Sequence, residues 1–174
     1  MRLFVAIEVP PPSTDDSAHR SGAPEHLTLK FLGEVPPERV PELRAALAAV
    51  ARASPPFDLV LEGVGAFPNS SNPRVVWVGA TAGREEASSL AARVAGALDP
   101  IVPGGGRDSF VPHLTLFRVR SPAQRRQAAA LLSGVEPAPP PRKVPVREIY
   151  LKESTLTPRG AQHRTVEAWP LTGP

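Results

Sequence analysis

The tetrapeptide His-Leu-Thr-Leu occurs twice in this chain of 174 residues, at positions 26–29 and 113–116. Each copy begins a short apolar segment of the kind that forms a strand. Because side chains alternate between the two faces of a strand, the histidine and threonine of each copy are predicted to share one face. The two leucines then point the other way, into a core. The sequence therefore predicts two strands that each present a His/Thr pair to a groove.

The rest of the chain mixes strands and helices without strict alternation, which favours an α+β fold over a doubly wound parallel sheet. Ser121 is predicted to cap the last helix, with Pro122 at its first position. Apolar runs predict strands at 3–9, 27–32, 57–67, 74–79, 111–119, 144–151 and 165–171, the last two joined by a turn near 158–160. Amphipathic spacing predicts helices after Pro36 and Pro37 (Val40, Leu43, Leu47 and Val50), over 85–98 and over 123–132.

Proline is abundant, with 23 residues, and part of it lies in the polar segment 10–25. A helix is not expected in that segment. Residues 104–106 are three glycines, and we expect a flexible loop there. It is not a phosphate-binding P-loop, because the Gly-Lys-Ser/Thr ending is missing.

The amino-acid composition excludes several kinds of functional site. The chain has no cysteine, which excludes disulfides, zinc-thiolate sites and a cysteine nucleophile. No apolar stretch has the length of a membrane span, and the first apolar run is too short for a signal peptide. We therefore expect a soluble, cytoplasmic monomer. The formal net charge of +3 and the pI of about 9.9 fit either a phosphate-bearing partner or an arginine-rich surface with no target.

The paired motifs suit the cleavage of a phosphodiester. One histidine can activate the attacking oxygen while the other protonates the leaving oxygen. Threonine hydroxyls can donate hydrogen bonds to the non-bridging oxygens. No His-Glu-x-x-His motif and no carboxylate cluster accompanies the motifs, so we expect neither a metal nor another cofactor.

A simpler interpretation remains open, in which two half-buried strands are similar by accident. The other two histidines have no partner motif. His19 lies in the polar segment and is predicted to be solvated, and His163 lies near the start of the last strand. Lys30 would share the face of His26 by alternation, and we interpret it as a solvated lysine.

The motifs and their flanks resemble the two-histidine (2H) phosphoesterases, and within them the RNA 2′,3′-cyclic phosphodiesterases, also called 2′-5′ RNA ligases. The resemblance covers most of the chain. Its segments are MRLFVAI at 1–7, HLTLKFLG at 26–33, GAFP at 65–68, PRVVWVG at 73–79, PHLTLFR at 112–118 and IYLKES at 149–154.

This resemblance implies one α+β domain over residues 1–174. It is bilobal, with two mostly antiparallel sheets and outer helices around a central cleft that carries the two His-x-Thr strands. By the same resemblance, His26 and His113 are the catalytic acid and base, and Thr28 and Thr115 bind the phosphate. Arg118 approaches the phosphate as well. Strict alternation puts Arg118 on the leucine face, so a bulge or a strand end is needed there.

The implied reaction is metal-independent hydrolysis of RNA 2′,3′-cyclic phosphate ends to 2′-phosphates, with 2′-5′ ligation as the related reverse reaction. The implied partner is RNA, including tRNA-like fragments, and no membrane. Two alternatives stay open: a catalytically weak module that binds RNA ends, and a phosphodiesterase for a small cyclic nucleotide. One departure concerns residues 10–25, which are too short and polar for the helix that the family places between its first strand and first motif.

Overall fold

A computed structural model describes residues 1–10, 25–103, 110–158 and 160–174. In these ranges the chain forms eight strands and three α-helices, with a short 3-10 helix at Pro37–Arg39 leading into the first of them. The strands are β1 Arg2–Val9, β2 Glu25–Glu34, β3 Phe57–Phe67, β4 Val75–Ala82, β5 His113–Arg118, β6 Arg142–Val146, β7 Glu148–Thr157 and β8 Gly160–Pro170. The helices are α1 Val40–Arg52, α2 Arg84–Leu98 and α3 Pro122–Leu132.

The strands form two four-stranded antiparallel sheets. The first sheet has the order β2-β1-β7-β8, and the second has the order β5-β4-β3-β6. The two motif strands, β2 and β5, are therefore edge strands of different sheets, and they contact each other. The prediction of an α+β fold with two antiparallel sheets is confirmed.

A buried apolar core lies between one face of each sheet and the helices α1 and α2. Leu43 and Leu47 of α1 and Val94 of α2 are fully buried in it, as the amphipathic spacing predicts. The predicted cap of α3 is present, since the Ser121 hydroxyl accepts a hydrogen bond from the Gln124 N–H at 3.2 Å. The faces of β2 and β5 that carry the histidines are opposite to this core, and the core fixes both strands from behind.

One predicted strand, 144–151, is wrong, because the segment forms two strands in different sheets. β6 ends at Val146 in the second sheet, and β7 begins at Glu148 in the first. Arg147 lies at the crossing, where its guanidinium donates to the carbonyl oxygen of Phe57 at 2.8 Å and to the Asp58 carboxylate at 3.0 Å. The charged pair Arg147-Glu148 marks the place of the break, but it does not by itself indicate a change of sheet.

Several expectations lie outside the described residues. These are the absence of a helix over most of 10–25, the solvated His19 and the glycine loop at 104–106. Among the described helices, none has the length and apolar character needed to cross a membrane.

Candidate active site

The first motif lies on β2 as the alternation predicts. His26 and Thr28 are half-buried on one face, while Leu27 and Leu29 are buried on the other. In the register with β1, His26 lies opposite Glu8 and Thr28 lies opposite Ala6. Glu25, next to His26, also accepts a hydrogen bond from Arg142 of β6 at 2.6 Å, which ties this end of β2 to the second sheet.

The alternation ends after Leu29, where an irregularity shifts the register of β2 against β1. As a result Lys30 lies opposite Val5, on the core side, and Phe31 lies opposite Phe4, on the His26 side. Lys30 is 7% exposed, and its ammonium pairs with Asp99 at the end of α2 at 2.8 Å. The prediction of a solvated Lys30 on the His26 face is therefore wrong. Strict alternation along β2 would also place Phe31 beside the leucines, but Phe31 is 61% exposed.

The second motif also contains a register shift, and this shift moves Arg118 away from the leucine face. His113 lies opposite Gly79 and Thr115 opposite Trp77, but Arg118 lies opposite Val75. Gly79, Trp77 and Val75 alternate along β4, so they share a face. The bulge at Leu116 therefore places Arg118 on the same face as His113 and Thr115. This is the bulge that the sequence required.

The ring of His113 is held from both sides. Its Nδ1 lies 2.7 Å from the carbonyl oxygen of Val111, which can only accept, so Nδ1 carries the proton and Nε2 is left free. The ring also makes an edge contact with Phe67 at 4.9 Å between centroids and lies 6.0 Å from Trp77. Burial lowers the pKa of His113, with the positive charge of Arg118 acting in the same direction against the Val111 hydrogen bond.

The Trp77 ring owes its position to a glycine on the neighbouring strand. A Cβ atom at Gly65 would lie 2.2 Å from the Trp77 ring. Only a residue without a side chain allows the indole to lie flat over β3. The small residue at Gly65 thus determines where the aromatic wall beside His113 stands.

His26 has a different environment. Its ring lies 5.0 Å from that of Phe4 and 4.8 Å, edge to face, from that of His163. Burial lowers the pKa of His26 to about 4, helped by His163 and the ammonium of Lys152 and opposed by Glu8. Burial, with the charge of Lys152, also lowers the pKa of His163. Both motif histidines are therefore neutral at pH 7 in the free protein.

A buried ion pair supports the His26 side of the site. Lys152 is 3% exposed, and its ammonium bonds the carboxylate of Glu8 and, at 3.0 Å, the hydroxyl of Thr165. The register places Lys152 opposite Phe4 and Thr165, so this cluster lies on the face that carries His26. Sequence reasoning missed Lys152, Glu8 and His163. They lie on β7, β1 and β8 respectively, and their alternation on these strands could be used only once the strand order was known.

The two threonine hydroxyls are available for a ligand. Neither Thr28 nor Thr115 has a hydrogen bond to another side chain or to the backbone within the described part of the chain. Within the same part, no group of three or more His, Cys, Asp or Glu side chains could hold a metal ion. The arrangement offers two neutral imidazoles for proton transfer, two hydroxyls for phosphate oxygens and one guanidinium beside them.

The lowered histidine pKa values predict an acidic pH optimum. Turnover by an acid/base pair needs one protonated and one neutral histidine, whichever takes which role. Since both pKa values lie below 6.5, we expect a bell-shaped profile of kcat/KM with its maximum below pH 6.5. Initial rates measured from pH 3.5 to 9 test this, and a maximum above pH 6.5 would contradict it.

Replacing the buried Lys152 is expected to move the acid limb of the pH profile of kcat/KM. Lys152→Met removes the positive charge beside His26, so the pKa of His26 rises and the acid limb moves toward pH 6.5. Lys143→Met is the matched control, because it removes an exposed lysine from the edge strand β6 of the other sheet. An unchanged acid limb in folded Lys152→Met would show that this ammonium does not act on His26.

Two edge strands that meet and each expose a His-x-Thr face are the arrangement of two-histidine phosphoesterases. Comparison with known proteins identifies the family. The chain belongs to the 2′-5′ RNA ligase superfamily, whose sequence model matches residues 7–156. It is 35% identical to the RNA 2′,3′-cyclic phosphodiesterase of Archaeoglobus fulgidus, in an alignment covering 97% of this chain and 99% of that protein.

Solved structures agree with this assignment. A protein of Thermus thermophilus matches with a TM-score of 0.74 and 31% identity, over 99% of both chains. The Escherichia coli LigT protein, crystallised with 3′-AMP, matches with a TM-score of 0.72 and 28% identity, over 98% of both chains.

Proposed function

We propose that this protein hydrolyses the 2′,3′-cyclic phosphate ends of RNA to 2′-phosphates without a metal. The observation that carries the proposal is the meeting of β2 and β5, each with a His/Thr pair on the face away from the core. The Archaeoglobus relative, which is named for this activity, aligns over nearly the whole chain.

The environment of each histidine supports a division of roles. The Nδ1–H of His113 bonds the Val111 carbonyl, so its Nε2 can take a proton from water. The water oxygen then forms a bond to phosphorus, and the bond from phosphorus to O3′ breaks. His26 donates a proton to O3′, leaving a 2′-phosphate. The negative charge of bound substrate raises the pKa of His26 and allows it to hold this proton.

Ligation through a 2′-5′ bond uses the same groups with a different nucleophile. In the forward direction of that reaction, a 5′-hydroxyl replaces water as the nucleophile and the cyclic phosphate opens in the same way. The near symmetry of the two motifs favours reversal of this step, because the two histidines exchange the roles of acid and base when the 2′-5′ bond is cleaved.

Thr28, Thr115 and Arg118 are proposed to bind the phosphate. Each threonine follows its histidine by two residues and shares its face of the strand. The bulge at Leu116 brings Arg118 to the same side. They can donate to the non-bridging oxygens, where negative charge is greatest as the new bond forms.

Replacing either threonine is expected to weaken the reaction without unfolding the protein. Thr28→Val or Thr115→Val keeps the shape and β-propensity but removes the donor, so kcat/KM should fall about 10- to 100-fold. The matched control is Thr81→Val, on β4 of the second sheet, whose hydroxyl makes only long contacts of 3.5 Å. Full activity in both motif variants would remove the threonines from the phosphate site.

The intact histidines favour catalysis over simple binding. A module that only held RNA ends would bind phosphate better with permanently charged arginines than with imidazoles that are neutral at pH 7. The environment of His113 in particular leaves a basic nitrogen free, which binding does not require.

A substrate panel separates the three candidate functions. The panel contains an RNA hexamer ending in a 2′,3′-cyclic phosphate, the same hexamer ending in a 3′-hydroxyl, and a 3′,5′-cyclic nucleotide. We expect turnover of the cyclic-ended RNA alone. Binding of that RNA without turnover would support the binding module, and turnover of the 3′,5′-cyclic nucleotide would support the small-substrate enzyme.

We further propose that residues 1–174 act as one domain, as a monomer in the cytoplasm, on RNA fragments such as pieces of tRNA. The alignment with the Archaeoglobus relative supports the single domain, since it extends over almost the full length of both chains. Light scattering coupled to size exclusion tests the monomer: a particle mass of about twice the chain's 18.5 kDa would exclude it.

A further inference from the structure

A surface next to the second motif carries four arginines, Arg118, Arg120, Arg125 and Arg126, which we call the arginine surface. Arg118 ends β5, Arg120 follows it, and the other two lie in the first turns of α3. Arg120, Arg125 and Arg126 line an open concavity of about 600 Å³. Positive side chains from α3 and from the segment that precedes it therefore line one concavity.

Among the residues that the structure describes, these arginines have no acidic partners. Residues 110–135 contain no aspartate or glutamate at all. None of the four forms an ion pair with another residue in the described ranges, whereas Arg39, Arg44, Arg142, Arg147 and Arg164 each pair with a carboxylate. Unpaired positive charge gathered on one surface is suited to an anionic partner of several charges.

The arginine surface is continuous with the active site. Arg118 lies on the same face of β5 as His113 and Thr115, and its charge is felt at His113. The next residue, Val119, donates its N–H to the Arg74 carbonyl at 2.9 Å, so the chain stays against β4 as it leaves the strand. A polymer with its end between the histidines could therefore extend along Arg118 and Arg120 toward α3.

From this we infer that the arginine surface binds the RNA nucleotides that precede the cyclic phosphate, which makes a polynucleotide rather than a mononucleotide the preferred substrate. The inference rests on the proposed function for the position of the RNA end. Each preceding nucleotide contributes one phosphodiester charge, and arginine binds phosphate through two parallel N–H donors. A mononucleotide ends at the catalytic site and does not reach α3.

The first test compares substrates of two lengths. The variant is Arg125→Gln/Arg126→Gln, because both residues are exposed and glutamine preserves helix propensity. With an RNA octamer ending in a 2′,3′-cyclic phosphate, we expect kcat/KM to fall about 10-fold. With a nucleoside 2′,3′-cyclic phosphate we expect no change. The matched control is Arg52→Gln/Arg84→Gln, which removes the same charge from α1 and α2 and should leave both substrates unchanged.

The second test measures binding and does not depend on turnover. Fluorescence anisotropy of an octamer ending in a 2′-phosphate gives its affinity from 50 to 300 mM salt. Each single-strand phosphate contact contributes about −0.7 to the slope of log K against log salt. The variant should therefore lose about 1.4 from the wild-type slope, and the control double variant should lose nothing.

The outcomes distinguish failure of the inference from failure of the proposed function. Wild-type protein that turns over both substrates, with a variant equally active on both or equally impaired on both, overturns the arginine surface alone. Wild-type protein that turns over neither overturns the proposed function. In that case the salt slope still tests whether the arginine surface binds RNA. A variant with the same slope as the wild type overturns the inference.

Discussion

His26→Gln and His113→Gln are each expected to lower kcat/KM on a cyclic-ended RNA by at least about 10²- to 10⁴-fold. Glutamine fills a similar volume and can hydrogen-bond, but it cannot take up and release a proton near neutral pH. The measurement is initial rates at the wild-type optimum, on protein shown by circular dichroism to be folded. The double variant should be little worse than either single variant, because the two histidines act as a unit.

His163→Gln is the matched control for this experiment. His163 contacts the ring of His26 but belongs to neither motif, and it is exposed. Its replacement should change the rate far less than either motif histidine and should raise the pKa of His26 slightly, since the neighbouring imidazole lowers it. A motif variant that kept near wild-type turnover would exclude the paired acid/base mechanism.

Gly65→Ala should lower the free energy of unfolding by about 1–3 kcal/mol, a typical cost of overpacking. The new Cβ would lie 2.2 Å from the Trp77 ring, so the indole has to move. Because Trp77 stands beside His113, we also expect the activity of the folded variant to fall. Urea unfolding followed by Trp fluorescence measures the first effect, and initial rates measure the second.

Gly96→Ala provides the contrast within the same chain. Gly96 lies in α2, and no atom would lie within 4 Å of an added Cβ. Here alanine should stabilise the protein by about 0.5–1 kcal/mol, because it has the higher helix propensity. Equal effects of the two substitutions would show that the Trp77 contact does not determine the role of Gly65.

The sequence was sufficient to predict the faces of the two motifs. Two identical tetrapeptides with alternating polarity placed the His/Thr pairs opposite the leucines, and the structure has them there. Helical spacing and the Ser121-Pro122 start likewise predicted α1 and α3 closely. These features depend on local periodicity and capping, which neighbouring residues in the chain determine.

What the sequence could not predict depends on pairing between distant strands. The bulge after Leu29 exchanged the faces of Lys30 and Phe31, and only the register with β1 reveals it. The break at Arg147 sends the two halves of segment 144–151 into different sheets. His163 lies beside His26 although β1 and β7 lie between their strands, a proximity that no local pattern contains.

The two histidines are held in unlike environments despite their identical motifs. His113 is fixed by a backbone carbonyl and aromatic rings, whereas His26 stands next to an imidazole and within the field of a buried ion pair. This asymmetry comes from the neighbouring strands and not from the motifs. It gives the site two histidines whose pKa values respond to different groups, and so can be tested separately.

Hydrolysis of a short RNA ending in a 2′,3′-cyclic phosphate, carried out in EDTA with identification of the product, tests the central claim most directly. The two-histidine site predicts turnover in EDTA with a 2′-phosphate as the product, because His26 protonates the leaving O3′. A requirement for added metal, or a 3′-phosphate as the product, would contradict it.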